Sequence, residues 1–426
     1  MNRVRLVPAS LRRLNRDGWL LFSTRFIRLF AYGSVSVVLV FYLVGLGLTE
    51  PQAGIVLTLT LVGDTAVSLY LTTRADRIGR RRMLIIGALL MGAAGMVFAS
   101  TNYFSLLVIA GTIGVISPSG HEVGPFLSIE QAALAHVVPD RTRTEVFAWY
   151  SLTGSIATAL GALAAGSATR LLQQSVLDPV ASYRFIVILY AAFGVVLAAL
   201  FSRLSAAAEA ATLGEKRAFR ATFAGISGLE QSRDVVAKLS ALFALDSFGG
   251  GFVIQSFAAY WFYLRFGVNP AVLGAIFFWA NIFAGFSALA ASRLAARFGL
   301  IKTMVGTHLP SNVLLVLVPL MPNLPLAVTV LLLRFSISQM DVPTRQSYIM
   351  AVVPRQERSA AAGITNVART TGAAMSPLFV GLLFARPALV NLPFFIAGAL
   401  KIAYDLLLYR EFVAVKPPEE MQHHVP

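Results

Sequence analysis

Thr60 to Leu84 reads TLVGDTAVSLYLTTRADRIGRRRML. Up to Leu71 the stretch is mostly apolar, with a single acid, Asp64, inside it. Arg74-Ala-Asp-Arg-Ile-Gly-Arg-Arg-Arg82 then forms a compact basic turn before apolar sequence resumes at Met83. An apolar helix ends where the hydrocarbon ends, and clustered Arg marks the cytoplasmic face. The stretch therefore predicts two antiparallel membrane spans joined by a short basic loop.

The rest of the chain extends that reading. Of its 426 residues, 57% are hydrophobic and 13% charged, with mean hydropathy +0.73, whereas a soluble domain carries about 25% charged residues. A formal charge of +15 would suit a nucleic-acid partner if it lay on one soluble face. Here the Arg residues sit in short loops between apolar runs, the positive-inside pattern, so nucleic acid is excluded. There is no Cys, which excludes disulfides, thiolate chemistry and Cys-ligated metals. The basic N-terminus (Arg3, Arg5, Arg12, Arg13, Arg16) precedes an apolar run longer than a signal-peptide core of about 7–15 residues. It is read as a retained first span.

At roughly 20 apolar residues per span, about twelve spans are expected. They fall at 19–47, 52–73, 83–100, 104–137, 144–170, 184–204, 236–265, 271–294, 302–321, 325–353, 359–385 and 390–411. The fold class is an all-α membrane protein with twelve transmembrane helices in two pseudo-symmetric six-helix bundles, 1–204 and 236–415. A cytoplasmic linker, 205–235, is expected to carry a surface amphipathic helix at 215–226. A short polar tail, 416–426, is expected to be disordered. The fourth and tenth spans are long enough to require tilt or protruding ends. Loops holding Arg74 to Arg82, Arg141, Arg143, Arg203, Arg293, Arg297, Lys302, Arg355 and Arg358 are assigned inside, against Arg170, Arg184, Arg265 and Arg386 outside. Both termini are thus expected in the cytoplasm.

The second half echoes the first at a shift of 215–220 residues. Gln131…Val137-Val138-Pro139…Arg143 aligns with Gln346…Val352-Val353-Pro354…Arg358, and Gly166 falls on Gly381. Tyr42-Leu43…Pro51…Gly54 aligns with Tyr263-Leu264…Pro270…Gly274, and Arg77-Ile-Gly79…Arg82 with Arg297-Phe-Gly299…Lys302. A parallel repeat of this kind puts a substrate site between the halves near the bilayer midplane. Over essentially its whole length the chain resembles the major facilitator superfamily. The strongest carrier is Asp76-Arg77-Ile-Gly79-Arg80-Arg81, similar to the superfamily's loop motif between spans two and three. The Gly that usually opens this motif is Thr72 here, and the second copy has Ala296 in place of the acid. The resemblance implies alternating access by rocking halves without ATP hydrolysis, and no phosphate-cradling Gly-rich motif contradicts it.

Candidate residues follow from polar groups at membrane depth, which are costly unless neutral, paired or facing a cavity. Gly79 permits the tight turn, and Asp76, Arg77 and Arg80 are latch candidates; any latch should be asymmetric, with Asp76→Asn shifting the conformational balance more than changes at Arg297. Asp64 reads two ways, as a proton carrier or as the structural partner of Arg77, Arg80 or a helix end. Arg25, Arg28 and Tyr32 share one face of the first span, and Arg28 lies too deep for snorkelling alone. The fourth span carries Ser117-Pro-Ser-Gly-His121-Glu122-Val-Gly-Pro-Phe126 and then Glu130-Gln131. Two Pro and two Gly break a helix there, as at a binding site. Glu122, with Glu130, is a proton-coupling candidate and His121 a substrate candidate; two ligands are too few for a metal.

Asp246 in the seventh span, a further proton-coupling candidate, sits near the repeat counterpart of Arg28, so the two are expected to face each other across the pseudo-twofold axis as a gate or half of a substrate site. Gln255 follows it, and Arg28, Tyr32, Gln255, Arg334 and Ser338 are substrate-binding candidates. Arg334, Ser338, Asp341 and Arg345 form one polar stripe on the tenth span. Asp341 and Arg345 are one turn apart and expected to pair, with Arg369 and Asn366 close by as part of an inner gate. Gly154, Gly161 and Gly166 are read as close-packing surfaces, and Trp19, Trp149, Trp261 and Trp279 as interface anchors.

The predicted function is secondary transport of a small solute or ion, coupled to protons, with the buried Arg residues favouring an anion. The protein is expected to be a monomer in the cell membrane, contacting lipid, without enzymatic activity, metal or cofactor other than an ion gradient. A multidrug–proton antiporter is the first alternative. The absence of Pro between 145 and 170, where such antiporters carry Gly-Pro, counts against it. A non-transporting sensor or scaffold on the same body is the second.

Overall fold

The computed structural model describes residues 9–415 apart from 13, 123, 139, 176, 210–228, 230 and 355, and omits the side chains of residues 9, 10, 76, 77, 140, 141, 144 and 359. The expected surface helix at 215–226, the tail 416–426 and the side chains of Asp76 and Arg77 lie outside the described residues. Among the described residues no strand occurs. The principal helices are α1 (Arg16–Gly45), α2 (Glu50–Ile78), α3 (Arg80–Ser100), α4 (Phe104–Ile113), α5 (Phe126–Val137), α6 (Asp140–Ser175), α7 (Pro179–Phe201) and α8 (Arg233–Gly251). They continue as α9 (Gln255–Phe266), α10 (Pro270–Phe298), α11 (Leu300–Leu317), α12 (Leu324–Phe335), α13 (Asp341–Val352), α14 (Arg358–Phe384) and α15 (Leu392–Phe412).

The helix ends differ in chemistry from one side of the bundle to the other. Four of the helices starting away from the basic turns, α2, α7, α10 and α12, open with a polar cap and Pro in the first turn. Thr49 forms a capping box with Gln52 ahead of Pro51, Asp178 accepts the Ala181 N–H at 2.6 Å, and Asn269 and Asn323 cap α10 and α12. These side chains satisfy amides that have no intrahelical acceptor, and Pro costs nothing where its missing N–H would be unpaired anyway. At the basic end α2 passes into α3 through Gly79 (φ +114°) and α10 into α11 through Gly299 (φ +84°). That backbone conformation is open to Gly and strained for other residues.

Among the described residues ten helical segments are long and apolar enough to cross a membrane. The expected fourth and tenth spans are not tilted long helices; each is broken. Between α4 and α5 the chain runs irregularly through Pro118, Gly120 (φ +72°), Gly124 (φ +79°) and Pro125. Between α12 and α13 a turn covers Ser336–Met340, and Pro343 in the first turn of α13 has no N–H to carry the ladder back to Gln339. A third break, at 252–254, follows Gly249-Gly250-Gly251 and divides α8 from α9.

Helix α1 is the axis of the first half of the chain, packed against α6 and α7; α8 holds the matching position, packed against α14 and α15. The halves meet along α6–α10 and α2–α14. Both crossings depend on glycine. A Cβ on Gly54 would lie 2.6 Å from Pro377 O and 3.1 Å from Gly381 Cα, and one on Gly274 would lie 2.7 Å from Ala162 O and 3.1 Å from Gly166 Cα. The four glycines stand toward the end opposite the basic turns, where Tyr260 also donates to Glu50 at 3.2 Å. Trp261 corrects one expectation. It is fully buried, with its indole N–H on Asn391 Oδ1 at 2.9 Å, and so is a core residue instead of an interface anchor. Trp19 and Trp279 are about half exposed on the outer surface, 45% and 50%.

Candidate functional site

Two ion clusters and a seam between them occupy the interior. In the first, Arg28 of α1 is fully buried and makes a two-pronged contact with Glu130 of α5, Nη1–Oε1 at 2.7 Å and Nη2–Oε2 at 2.8 Å. Its Nη2 also reaches both oxygens of Glu122 at 3.2 Å, and Arg25, one turn earlier, donates to Glu122 as well. Glu130 further accepts from Thr24 Oγ1 at 3.0 Å and from the Tyr150 hydroxyl. Buried charges persist only when paired and hydrogen-bonded, and this network supplies both. Gly154 makes room for it, since a Cβ there would come within 2.9 Å of the Arg25 guanidinium.

Exposure separates the two acids. Glu130 is fully buried, whereas the Glu122 side chain keeps 18% of its surface and neighbouring His121 is exposed. His121 stays out of the ion cluster; its backbone carbonyl accepts from Ser117 Oγ at 2.7 Å. Asp64 accepts the backbone N–H of Gly124 and lies 3.4 Å from Ser68 Oγ, so it braces the break ahead of α5. Tyr32 is buried and stacks on Tyr190, whose hydroxyl donates to Val115 O.

In the second cluster Asp246 of α8 accepts from Lys401 Nζ of α15 at 2.5 Å and from Arg345 Nη1 of α13 at 3.3 Å. Arg345 also pairs with Asp341 at 3.1 Å. His308 of α11 lies between Asp405 (Nδ1–Oδ1 2.8 Å) and Asp246 (Nε2–Oδ1 3.7 Å). Ligand atoms of Asp246, His308 and Asp341 fall within 4.8 Å of one another, but Lys401 and Arg345 already hold these carboxylates, so the grouping is an ion-pair network. Arg334 and Arg369 stand beside it, half-buried and within electrostatic reach of Asp246 and Asp341. Among the described residues neither buried Nε has a hydrogen-bond partner, and the Ser338 hydroxyl has none either. Asn366 is exposed.

The expected facing of Arg28 and Asp246 is not what the structure contains. Each is neutralised inside its own half, because a closer partner is available on the neighbouring broken span. The two pairs are nonetheless related. At the repeat shift Arg28 corresponds to Asp246 and Glu130 to Arg345, so the same junction carries an ion pair of opposite polarity in each half. Lys401, His308, Asn312 and Asp405 were not singled out from the sequence, although ionisable residues inside the last and ninth apolar runs were a sufficient signal.

The seam joins the breaks. Ser256 donates its N–H (3.1 Å) and hydroxyl (2.6 Å) to Pro118 O, a carbonyl freed by the interruption between α4 and α5, and its hydroxyl also reaches Ser36 O at 2.8 Å. Gln255 donates to Ser36 Oγ at 2.8 Å and accepts from Asn281 at 3.0 Å. At the basic turn, Glu209 accepts from the backbone N–H groups of Arg80 (2.6 Å) and Arg81 (3.2 Å), capping α3. Glu357 does the same for Gln231 and Ser232 ahead of α8, at 2.9 and 3.0 Å.

Comparison with known proteins agrees with this architecture. The chain is 32% identical over 444 aligned positions to a membrane protein of Saccharomyces cerevisiae described as uncharacterized, spanning 96% of this chain and 97% of that one. It is 31% identical over 120 residues to a Na(+), Li(+), K(+)/H(+) antiporter of Planococcus maritimus, covering 26% of each. The crystal structure of the human organic anion transporter MFSD10 superposes with a TM-score of 0.64 at 16% identity, covering 94% of this chain and all of that one, a likeness of fold alone. Residues 21–377 match the model of the Major Facilitator Superfamily. This chain is an integral multi-pass membrane protein and belongs to that superfamily.

Proposed function

We propose that the protein is a proton-coupled secondary transporter of a small anion, working by alternating access. In this reading the chain forms twelve spans in two six-helix bundles, 1–204 and 236–415, joined by the linker 205–235, with both termini at the basic, cytoplasmic face. In this reading the glycine crossings hold the opposite face closed. The carrying observation is that Arg334 and Arg369 are half-buried cations without a carboxylate partner among the described residues. Every acid around them is held by Arg345, Lys401, His308 or Asn312. An incoming carboxylate or phosphate would supply the missing acceptors, and Arg offers the planar donors such groups fit.

Coupling is assigned to Glu122, the partly exposed acid of the first cluster. A proton on Glu122 would free Arg25 and weaken its tie to Arg28, altering the break that presents Pro118 to Ser256. Asp64 serves to brace that break, and the matched Planococcus antiporter exchanges cations for protons. The test is uptake of radiolabelled anions (succinate, glutamate, inorganic phosphate) into proteoliposomes under an imposed pH gradient. Arg334→Ala and Arg369→Ala should each lower uptake at least tenfold, while Glu122→Gln should abolish gradient-driven uptake and retain anion exchange. Uptake restricted to neutral or cationic amphiphiles and indifferent to both Arg substitutions would sink the anion assignment in favour of a multidrug antiporter.

A further inference from the structure

His308 serves the proposed transport function only as a partner of Asp405, yet its surroundings are built around it. The residue is 5% exposed, and its two ring nitrogens face different carboxylates. Nδ1 lies 2.8 Å from Asp405 Oδ1, while Asn312, one turn further along α11, donates to Asp405 Oδ2 at 2.8 Å. With Asp405 ionised its carboxylate only accepts, so Nδ1 carries the hydrogen and donates it, while the Asn312 amide nitrogen, 3.1 Å from Nδ1, gives its hydrogen to Asp405 Oδ2. That arrangement fixes the ring and the tautomer, leaving a lone pair on Nε2 directed at Asp246 Oδ1, 3.7 Å away. Two acceptors then face each other across a gap that a hydrogen on Nε2 would turn into a bond.

The charges around the ring leave a place for one more proton. The groups facing it are Asp246 on α8, Asp341 and Arg345 on α13, and Lys401, Tyr404 and Asp405 on α15. The hydrogen-bonded network holds three carboxylates against two fixed cations, Arg345 and Lys401. Arg334 on α12 and Arg369 on α14 stand at its rim, outside the bonded set. A proton on His308 balances the bonded network.

We infer that His308 is a proton-binding site in the second half of the chain, taking a proton on Nε2 and donating it to Asp246 in competition with Lys401. The proton comes from water; one N–H bond forms, and within the protein only hydrogen bonds are exchanged. Lys401 has somewhere to go when released. Its side chain runs along Gly249 and Gly250, where a Cβ would lie 3.1 Å from Lys401 Cγ and 3.7 Å from Nζ respectively. That glycine face ends at the 252–254 break, and the next two residues, Gln255 and Ser256, hold the seam. Proton binding at His308 thereby bears on the contact between the halves. This last link rests on the alternating-access reading; protonation itself does not.

The experiment is 15N NMR of full-length protein labelled at histidine, in lipid nanodiscs, between pH 5 and pH 8.5. The chain has five histidines, and the His308 signals are assigned by their loss in His308→Gln, or by elimination with His121→Gln, His136→Gln and removal of His423 and His424 if that variant does not fold. The expected result is a neutral ring with hydrogen on Nδ1 at high pH, becoming doubly protonated within this range. Lys401→Met should raise the apparent midpoint by one pH unit or more, a tenfold gain in proton affinity, because the competing cation is gone. A ring that stays neutral throughout, that carries its hydrogen on Nε2 at high pH, or whose midpoint ignores Lys401→Met overturns the inference. None of these outcomes bears on anion uptake, so the transport reading is judged separately.

Discussion

Replacing Gly54 with Ala adds one methyl group at the crossing of α2 and α14, and the structure sets the size of the effect. The new Cβ would stand 2.6 Å from the carbonyl oxygen of Pro377, about 0.7 Å inside the ~3.3 Å at which carbon and oxygen meet without repulsion. The oxygen cannot swing away, because it belongs to the backbone of α14, and the neighbouring Gly381 Cα at 3.1 Å blocks lateral escape. Overpacking of this kind costs about 1–3 kcal/mol, which corresponds to a shift of about 5- to 150-fold in a two-state equilibrium. The cost falls on the conformation in which the two helices touch, so the closed end should open. The chain has no Cys, so spin labels at Gln174→Cys and Ala385→Cys, both exposed and on opposite halves at that end, report the separation by electron–electron resonance. The expected outcome is a longer distance population growing at the expense of the short one. Gly306→Ala is the control, since a Cβ there meets nothing within 4 Å. Identical distance distributions for Gly54→Ala and Gly306→Ala would refute the argument that glycine holds this end shut.

Other substitutions probe the interior. Arg28→Met alone leaves Glu130 buried without its main partner and should destabilise the protein by about 3–5 kcal/mol in unfolding assays, whereas Arg28→Met with Glu130→Met should recover most of that loss. Ser256→Ala removes the hydroxyl shared between Pro118 O and Ser36 O and leaves the backbone N–H on Pro118 O; at about 1 kcal/mol for the lost bond, the labelled pair should report easier opening. Glu209→Ala strips the cap from the Arg80 and Arg81 amides and should lower stability by about 0.5–2 kcal/mol, measured as a fall in Tm with the distance distribution unchanged.

The membrane character, the repeat and the basic turn were legible because each rests on local composition. Apolar run length, Arg placement and a Gly between two spans need no knowledge of distant contacts. The interruption around Pro118 was equally legible, since Pro and Gly act on their own backbone. The break at Ser336–Met340 was not, because its cause is a Pro in the next helix. Pairing was the weakest part of the reading. Arg28 and Asp246 were matched by symmetry and opposite charge, but which acid an Arg meets depends on where a broken helix delivers it, and Glu130 arrives first. Asp341 and Arg345 share one helical turn, and there spacing alone was sufficient. Lys401 and Asp405, also one turn apart, carried the same kind of signal inside an apolar run. Glu209, whose contact with α3 crosses 128 positions of chain to Arg81, offered none.

The opposed polarity of the Arg28–Glu130 and Asp246–Arg345 pairs has an electrical consequence. A fixed charge carried through the full membrane field is worth about 2.3 kcal/mol per 100 mV. Each of these pairs is neutral within itself and lies within one half, so neither would by itself give the membrane potential a handle on the proposed rocking motion. Their dipoles, lying at repeat-related junctions with opposite sign, do not add as two copies of one pair would. In the proposed transport cycle, voltage sensitivity would then be set by the solute and its coupled proton, and by Arg334 and Arg369, which have no carboxylate partner among the described residues. Under that proposal, reversal-potential measurements would read the stoichiometry of transport, since charges that stay with the protein return at the end of each cycle.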